Sequence, residues 1–249
     1  MPPPAAREDH VRTGRRADET RPVRIEPAVA KFAAGSARIE LGDTHVLCTA
    51  SLADGVPGWL RGSGRGWLTA EYSMLPGATP TRTARESVRG RQSGRTMEIQ
   101  RLIGRSLRGV VDLGIIGERT ITLDCDVLQA DGGTRTAAVT GAYVAVYQVA
   151  LKLKELIGLN ELPLFDSLCA VSVGVVDGQV LLDLDYEEDS AAEVDMNVVL
   201  TGEGKLVEVQ ATAEGEPYTR ATLDQMMDMA AAGGTALSAV QAAAVEALG

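Results

Sequence analysis

The sequence contains few of the side chains on which nucleophilic and metal chemistry often depend. Its 249 residues include two histidines, one in a polar N-terminal stretch and one in a strand-like run, so a histidine general base is not expected. The cysteines occupy apolar, strand-like runs without C-x-x-C spacing, which predicts buried free thiols in a reducing compartment instead of disulfides or a zinc site. These residues are His10, His45, Cys48, Cys125 and Cys169.

Long apolar segments are also missing. The N-terminus has no apolar signal core, and the longest mainly apolar stretch, residues 137–151, falls short of the ~20 residues needed to span a bilayer. We therefore expect a cytosolic protein. A length of 249 residues is sufficient to bury a sizeable core, in one large domain or in two small ones.

The net charge is −10, but the first and second parts of the chain have opposite charge. Residues 1–108 hold 18 Lys+Arg and 11 Asp+Glu, a local +7, while the remaining residues hold 6 and 23, a local −17. Eight arginines but only two acidic residues lie between residues 82 and 108. Because guanidinium groups match phosphate geometry, this segment predicts a nucleic-acid partner, and a solvated surface paired with acidic neighbours is the alternative.

The periodicity of apolar residues predicts a mixed α/β fold. Residues 1–20 are polar and without periodicity, which predicts a flexible tail. Residues 76–94 are predicted to form a long loop. Strands are predicted at residues 23–27, 37–41, 44–52, 67–75, 119–130, 168–176, 179–186, 195–200 and 205–212, and helices at residues 96–113, 136–156 and 219–248, the last broken at Gly233-Gly234.

A glycine turn, Gly132-Gly133-Thr134-Arg135, joins a predicted strand to the most apolar helix. Glycines let the backbone approach a ligand, and the free N–H groups of the helix start converge there with the cationic Arg135. This combination favours a phosphate site, and an ordinary helix start with Thr134 near the cap is the alternative. No Gly-Lys-Ser/Thr follows and no G-x-G-x-x-G opens a helix nearby, which argues against a nucleotide P-loop.

An acidic segment between residues 186 and 195 is the second candidate site. Its carboxylates would repel one another and raise one another's pKa unless a cation or a protonated member compensated them, and a hard divalent ion fits that need. The connection is short enough to bring Asp189 and Asp195 to one side, although a solvated acidic loop is the alternative. The five carboxylates are Glu187, Glu188, Asp189, Glu193 and Asp195.

Four longer motifs follow one another along the chain. They are GWLTAEYSMLP at residues 66–76, GRTMEIQRLIGR at residues 94–105, DCDVLQADGGTRT at residues 124–136, and EDS at residues 188–190 continuing to DMN at residues 195–197. Together they resemble the ribonuclease PH family, phosphate-dependent 3′-to-5′ exoribonucleases that trim transfer RNA precursors. The resemblance runs from about residue 12 to the C-terminus.

The resemblance implies an α/β fold of mixed sheets packed against helices in two βαβ-like layers, with residues 21–249 as a single catalytic domain. It implies a ring-shaped homohexamer, built as a trimer of dimers. It also implies residue roles, which are phosphate binding by Arg95, Gly133, Thr134 and Arg135, catalysis and magnesium placement by Asp189 and Asp195, and RNA binding by Arg82, Arg85, Arg89 and Arg91.

The implied reaction is attack of orthophosphate on the last phosphodiester of the RNA. It releases a nucleoside 5′-diphosphate, needs no protein nucleophile and is reversible as nucleotide addition to a 3′ end. A catalytically silent RNA-binding ring subunit of an exosome-like assembly is the main alternative, and it would be expected to lack a phosphate arginine or the acidic pair. A hydrolytic metal nuclease would have no reason for a phosphate pocket, and a small-molecule kinase would need the missing P-loop lysine.

Overall fold

The first layer of the fold is a five-stranded mixed sheet with the order β1-β2-β3-β5-β4. The computed structural model describes residue 12 and residues 14–248, without the side chain of Arg89. In this sheet only β4 and β5 run parallel, and a helix crosses between them. The elements of this half are β1 (Val23–Pro27), β2 (Gly35–Leu41), β3 (Thr44–Asp54), β4 (Trp67–Met74), α1 (Glu86–Arg89), α2 (Gly94–Arg108), β5 (Arg119–Gln129) and α3 (Thr134–Ile157).

The second layer is a four-stranded antiparallel sheet with the order β7-β6-β8-β9. Its β6 is buried along its whole length, as expected for a central strand covered on both faces. The elements of this half are β6 (Leu168–Val176), β7 (Gln179–Leu182), α4 (Tyr186–Ala191), β8 (Val194–Thr201), β9 (Leu206–Ala213) and α5 (Arg220–Glu246). The predicted α/β class, with mixed sheets packed against helices, is confirmed.

The α3 helix lies between the two sheets, in contact with β2 and β3 on one side and β6 on the other. Its small residues, mainly Ala, Val and Gly, are buried nearly all round the helix, as the sequence predicts. With 24 residues it is longer than predicted, and its length and composition would suit a membrane span, but 83% of its most apolar window is buried inside the protein. It is therefore a core helix.

The predicted break of the last helix at Gly233-Gly234 is wrong, because α5 is continuous. A Cβ atom on Gly233 would lie 2.6 Å from Leu182, and one on Gly234 would lie 2.6 Å from Leu200. The two glycines therefore allow α5 to pack closely on the second sheet.

The region between β7 and β8 also differs from the prediction. The strand predicted over residues 179–186 ends at Leu182, since Asp183 adopts a left-handed backbone with φ 55°. Asp185 then starts α4 through a capping box with Glu188. A six-residue helix of mostly polar residues has too few apolar positions to show periodicity, which explains why the sequence predicts only a loop there.

The predicted flexible N-terminal tail, residues 1–20, falls only partly within the described residues. Residues 1–11 and 13 lie outside the described residues, but Arg12 and Arg15 are buried, with 6% and 11% of their side chains exposed. They pair with acidic groups of the second layer. The segment thus packs against the body of the protein because its arginines meet buried carboxylates.

Candidate active site

A small cleft lies between the first turns of α2 and α3 on one side and α4 with the central strands β6 and β8 of the second sheet on the other. Its volume is about 40 Å³. A site for one buried water needs about 10–15 Å³, so the cleft has room for a small anion. It gathers the four predicted phosphate ligands and both predicted catalytic aspartates. The lining residues are Arg95, Gly133, Thr134, Arg135, Ser172, Asp189, Asp195 and Asn197.

The glycine turn shapes one wall of the cleft. Gly133 is the N-cap of α3 in a left-handed conformation, with φ 63° and no side-chain cap for the first helical turn. A Cβ atom on Gly132, also at positive φ, would lie 2.5 Å from the carbonyl oxygen of Leu184. The backbone can therefore turn and approach α4 closely only with glycine here, and the uncapped N–H groups of α3 suit an anion.

Two arginines approach the cleft from different helices. Arg95 is the second residue of α2 and is exposed, while Arg135 is the second residue of α3 and lies 3.3 Å from Glu98. Because both belong to first helical turns, two helix N-termini add their partial positive charge to the two guanidinium groups. The cleft is therefore electropositive on this side, as a phosphate requires.

Thr134 completes this wall. It is 5% exposed, and its hydroxyl oxygen accepts a hydrogen bond of 2.8 Å from the Tyr72 hydroxyl. Burial raises the pKa of Tyr72. Tyr72 therefore stays a neutral donor at neutral pH and fixes the Thr134 side chain at the start of α3.

The acidic pair forms the opposite wall. Partial burial raises the pKa of Asp189, which the positive charges of Arg95 and Arg135 oppose. Burial and then the charge of Asp189 raise the pKa of Asp195, whose carboxylate accepts hydrogen bonds of 3.2 and 3.3 Å from the Asn197 amide. Two such carboxylates share a cleft most easily when one binds a proton or both face a cation.

The two carboxylates also fit a magnesium site in which the protein supplies only part of the ligands. Among the described residues, no group of three or more His, Cys, Asp or Glu side chains could hold a metal. Mg²⁺ is commonly bound by one or two carboxylates together with water and substrate phosphate oxygens, not by an all-protein cage. Asp189 and Asp195 beside a phosphate-sized cleft match that arrangement.

Sequence reasoning assigned no role to two polar residues of the cleft, Ser172 and Asn197. They lie opposite each other on β6 and β8, are 4% and 7% exposed, and interrupt mainly apolar strands. Asn197 follows Asp195 by two residues and so shares its face of the strand. Buried polar residues within apolar strands were the signal that could have revealed them.

Of the predicted RNA-binding arginines, Arg82, Arg85 and Arg91 do not line this cleft. Arg85 and Arg91 line a larger cleft of about 480 Å³ together with Glu71, Asp124 and Asp126. Burial raises the pKa of Asp126, and the charge of Arg85 opposes that shift. Arg82 is exposed, and the side chain of Arg89 lies outside the described part. The structure therefore separates this loop from the phosphate cleft, and its RNA-binding role stays a prediction.

Two family models match consecutive parts of the chain. They are domain 1 of the 3′ exoribonuclease family over residues 19–152 and domain 2 of the same family over residues 166–233. The first match ends in the last turns of α3 and the second begins just before β6, where the first layer gives way to the second.

Proteins named ribonuclease PH align with nearly the whole chain. The one from Methylocella silvestris is 60% identical over 231 residues, which cover 93% of this chain and 98% of that protein. The one from Rhodospirillum rubrum is 58% identical over 237 residues, covering 95% and 98%.

Solved structures share the fold at lower identity. The Archaeoglobus fulgidus exosome with RNA bound to the active site contains a chain 25% identical to this one, with a TM-score of 0.77 and 90% of each chain covered. Rice (Oryza sativa) Rrp46, at 17% identity and a TM-score of 0.76, covers 93% of this chain and 98% of its own.

These relationships confirm the predicted resemblance and favour a phosphorolytic exoribonuclease with nucleotidyltransferase chemistry over a silent ring subunit. The chain belongs to the 3′ exoribonuclease family, in its ribonuclease PH branch.

Proposed function

We propose that the chain shortens RNA from its 3′ end by phosphorolysis in the cleft between α2, α3 and α4. The observation that carries this proposal is the convergence of two arginines, an uncapped helix N-terminus and two carboxylates on one anion-sized space. A hydrolytic nuclease needs no cationic wall for orthophosphate, because its nucleophile is water. A phosphorolytic enzyme needs it to hold orthophosphate against a second anion.

Orthophosphate would be held by Arg95, Arg135 and the first N–H groups of α3. From there one phosphate oxygen attacks the phosphorus of the terminal phosphodiester, and the bond to the 3′-oxygen of the preceding nucleotide breaks. A nucleoside 5′-diphosphate leaves together with a shortened RNA. The protein contributes mainly by orienting two anions and neutralising their charge.

The leaving 3′-oxygen needs a proton, which one aspartate of the pair can supply. Burial raises the pKa of both Asp189 and Asp195, and their mutual repulsion favours one shared proton. Asp189 and Asp195 would also hold Mg²⁺, which would add positive charge beside the phosphate oxygens. The same groups serve the reverse reaction, in which a nucleoside diphosphate extends a 3′ end.

Transfer RNA precursors are the proposed substrates, among other RNAs with free 3′ ends, and the cytoplasm is the proposed location. The loop containing Arg82, Arg85, Arg89 and Arg91 would bind the RNA backbone before the 3′ end enters the cleft. We propose a homohexamer built as a trimer of dimers, since closed rings of a single chain bring identical loops together. Such a ring would explain how a chain of net charge −10 binds a polyanion.

A single assay tests the proposal. A 3′-labelled transfer RNA precursor is incubated with the protein and Mg²⁺, with and without inorganic phosphate, and the released nucleotides are identified by mass spectrometry. Nucleoside diphosphate that appears only with phosphate is the expected product. Nucleoside monophosphate would indicate a hydrolytic nuclease, and RNA binding without any release would indicate a silent subunit.

A further inference from the structure

Three arginines at the start of the described chain form a buried ion cluster with the residues around α4. We call this cluster the arginine clamp. Its side chains are between 1% and 11% exposed, apart from Asp131 at 34%. Its members are Arg12, Arg15, Arg21, Asp131, Asp183 and Glu188.

Glu188 is the centre of the clamp. One of its carboxylate oxygens accepts a 2.5 Å hydrogen bond from Arg12, and the other accepts bonds of 2.6 Å from Arg12 and 3.1 Å from Arg15. The backbone N–H of Asp185 donates to the same carboxylate at 3.1 Å. Arg12 thus binds Glu188 through two parallel bonds, a geometry that fixes orientation as well as charge.

Glu188 directly precedes Asp189 on α4. A helix of six residues is too short to be stable by itself, so its position depends on the capping box and on the contacts of Glu188. Any rotation of α4 that moved Glu188 would move Asp189 relative to the phosphate cleft. The two bonds from Arg12 oppose such a rotation.

A second part of the clamp is attached to the glycine turn. Arg21 donates to both oxygens of Asp183, at 2.7 and 3.0 Å, and to the backbone oxygen of Asp131. Its guanidinium lies 3.0 Å from the place of a Cβ atom on Gly133. Arg15 also bonds Asp183, at 3.2 Å. The clamp therefore connects α4, which carries Asp189, to the glycine turn at the start of α3.

We propose that Arg12 and Arg15 are positioning residues, which hold α4 through Glu188. They thereby fix Asp189 relative to Arg95, Arg135 and the glycine turn. The proposal rests on the proposed function of the cleft. None of the three arginines of the clamp lines the cleft, so they act on the geometry of the reaction and not on binding of its anions. Their loss lowers kcat and leaves the affinity for orthophosphate and RNA close to that of the wild type.

The test compares Arg12→Ala and Arg12→Lys with Arg16→Ala. Arg16 is a matched control, because it lies in the same segment but pairs with Asp18 on the surface, where its side chain is 74% exposed. For each variant we would measure kcat, the KM values for RNA and phosphate, the melting temperature, the oligomer mass and amide hydrogen exchange across residues 186–191.

Arg12→Ala is expected to lower kcat by roughly 10- to 100-fold, since a misplacement of about 1 Å can cost that much. Amide exchange in α4 should accelerate, and both KM values should change less than about twofold. Arg12→Lys keeps the charge but loses the forked geometry, so it should recover part of the rate. Arg16→Ala should match the wild type. With Glu188→Gln added, the effect of Arg12→Ala on kcat should be smaller than additive.

Wild-type kcat in folded Arg12→Ala would overturn the proposal, whatever its melting temperature, because the clamp would then only stabilise the fold. If Arg12→Ala does not fold, wild-type kcat in Arg12→Lys has the same meaning. A fall in activity caused by weaker phosphate binding alone also contradicts it. If the wild type itself releases no nucleoside diphosphate, the proposed function fails. In that case amide hydrogen exchange still tests the positioning role of Arg12, because exchange in α4 that is equal in the wild type and in Arg12→Ala would contradict it.

Discussion

Arg95 and Arg135 reach the cleft from the first turns of different helices, so a bound phosphate has a cation on two sides. The two are not equivalent. Arg135 has Glu98 as a partner at 3.3 Å, whereas Arg95 is exposed at the mouth of the cleft. A phosphate must therefore compete with Glu98 for one arginine but not for the other.

Replacement of either arginine by Ala removes a charge-assisted contact to the phosphate. We expect a loss of about 2–4 kcal/mol of transition-state stabilisation, or ~100-fold or more in rate, with RNA binding retained. Steady-state phosphorolysis at saturating phosphate and an RNA-binding titration provide the measurement. Arg24→Ala, which removes an exposed arginine of β1, is the control. Wild-type rates in both cleft variants would remove these residues from the phosphate site.

The acidic pair can be tested by charge removal at nearly constant shape. Asp189→Asn and Asp195→Asn should both lose proton donation or metal placement while the fold stays intact. Phosphorolysis and the reverse extension by nucleoside diphosphates should fall together, because both directions share one transition state. The two rates are measured across a magnesium titration, with circular dichroism as the control for folding. Full activity in either variant would make that carboxylate a solvated group without a role.

At the scale of elements, most strands and long helices were predictable and the short connections were not. The strands at residues 23–27 and 168–176 are found as predicted, since alternation or continuous apolar character specifies a buried strand. The short helices α1 and α4 depend on local caps and tertiary contacts instead. Asp189 therefore occupies a helix that the sequence did not reveal, although its residue type and neighbourhood did suggest the site.

The glycine turn offers a prediction with a control at the other end of the same helix. Gly133→Ala introduces a Cβ atom at φ 63°, 3.0 Å from Arg21, while Gly158→Ala does so at φ 69° with open space around it. Both should be destabilised by roughly 1–2 kcal/mol from backbone strain. Only Gly133→Ala should also raise the KM for phosphate, because it shifts the start of α3. Urea unfolding and phosphate titrations are the measurements, and an equal KM in both variants would contradict the role of the turn.

At the scale of the whole molecule, residues 1–108 and residues 109–249 have opposite net charge. The arginines of residues 82–91 belong to the positive first part, and the acidic cluster belongs to the negative second part. A ring that places identical loops around one opening would concentrate positive charge there, even though each chain carries −10. In the proposed ring, RNA recruitment would be a property of the assembly more than of a single chain.

A variant with Ala at positions 82, 85, 89 and 91 tests this recruitment. Each lost phosphate contact should reduce the salt slope of single-strand binding by about 0.7, so RNA affinity should weaken and its salt dependence should flatten. The KM for inorganic phosphate should barely change, since the described side chains among them, Arg82, Arg85 and Arg91, do not line the phosphate cleft. Binding of a transfer RNA precursor is measured at several salt concentrations, after light scattering has shown an unchanged oligomer. An unchanged slope would move RNA recruitment to another surface.

The central position of α3 has a consequence for how the chain folds. Apolar residues from β6 and β8 of the second layer belong to the same continuous core as those of β1 to β5, because α3 supplies the surface on which both sheets pack. The first half alone cannot cover the side of α3 that contacts β6, whereas the second sheet also packs against α5 in a core of its own. During synthesis the first layer should therefore remain incomplete until the second sheet has closed over the exposed side of α3.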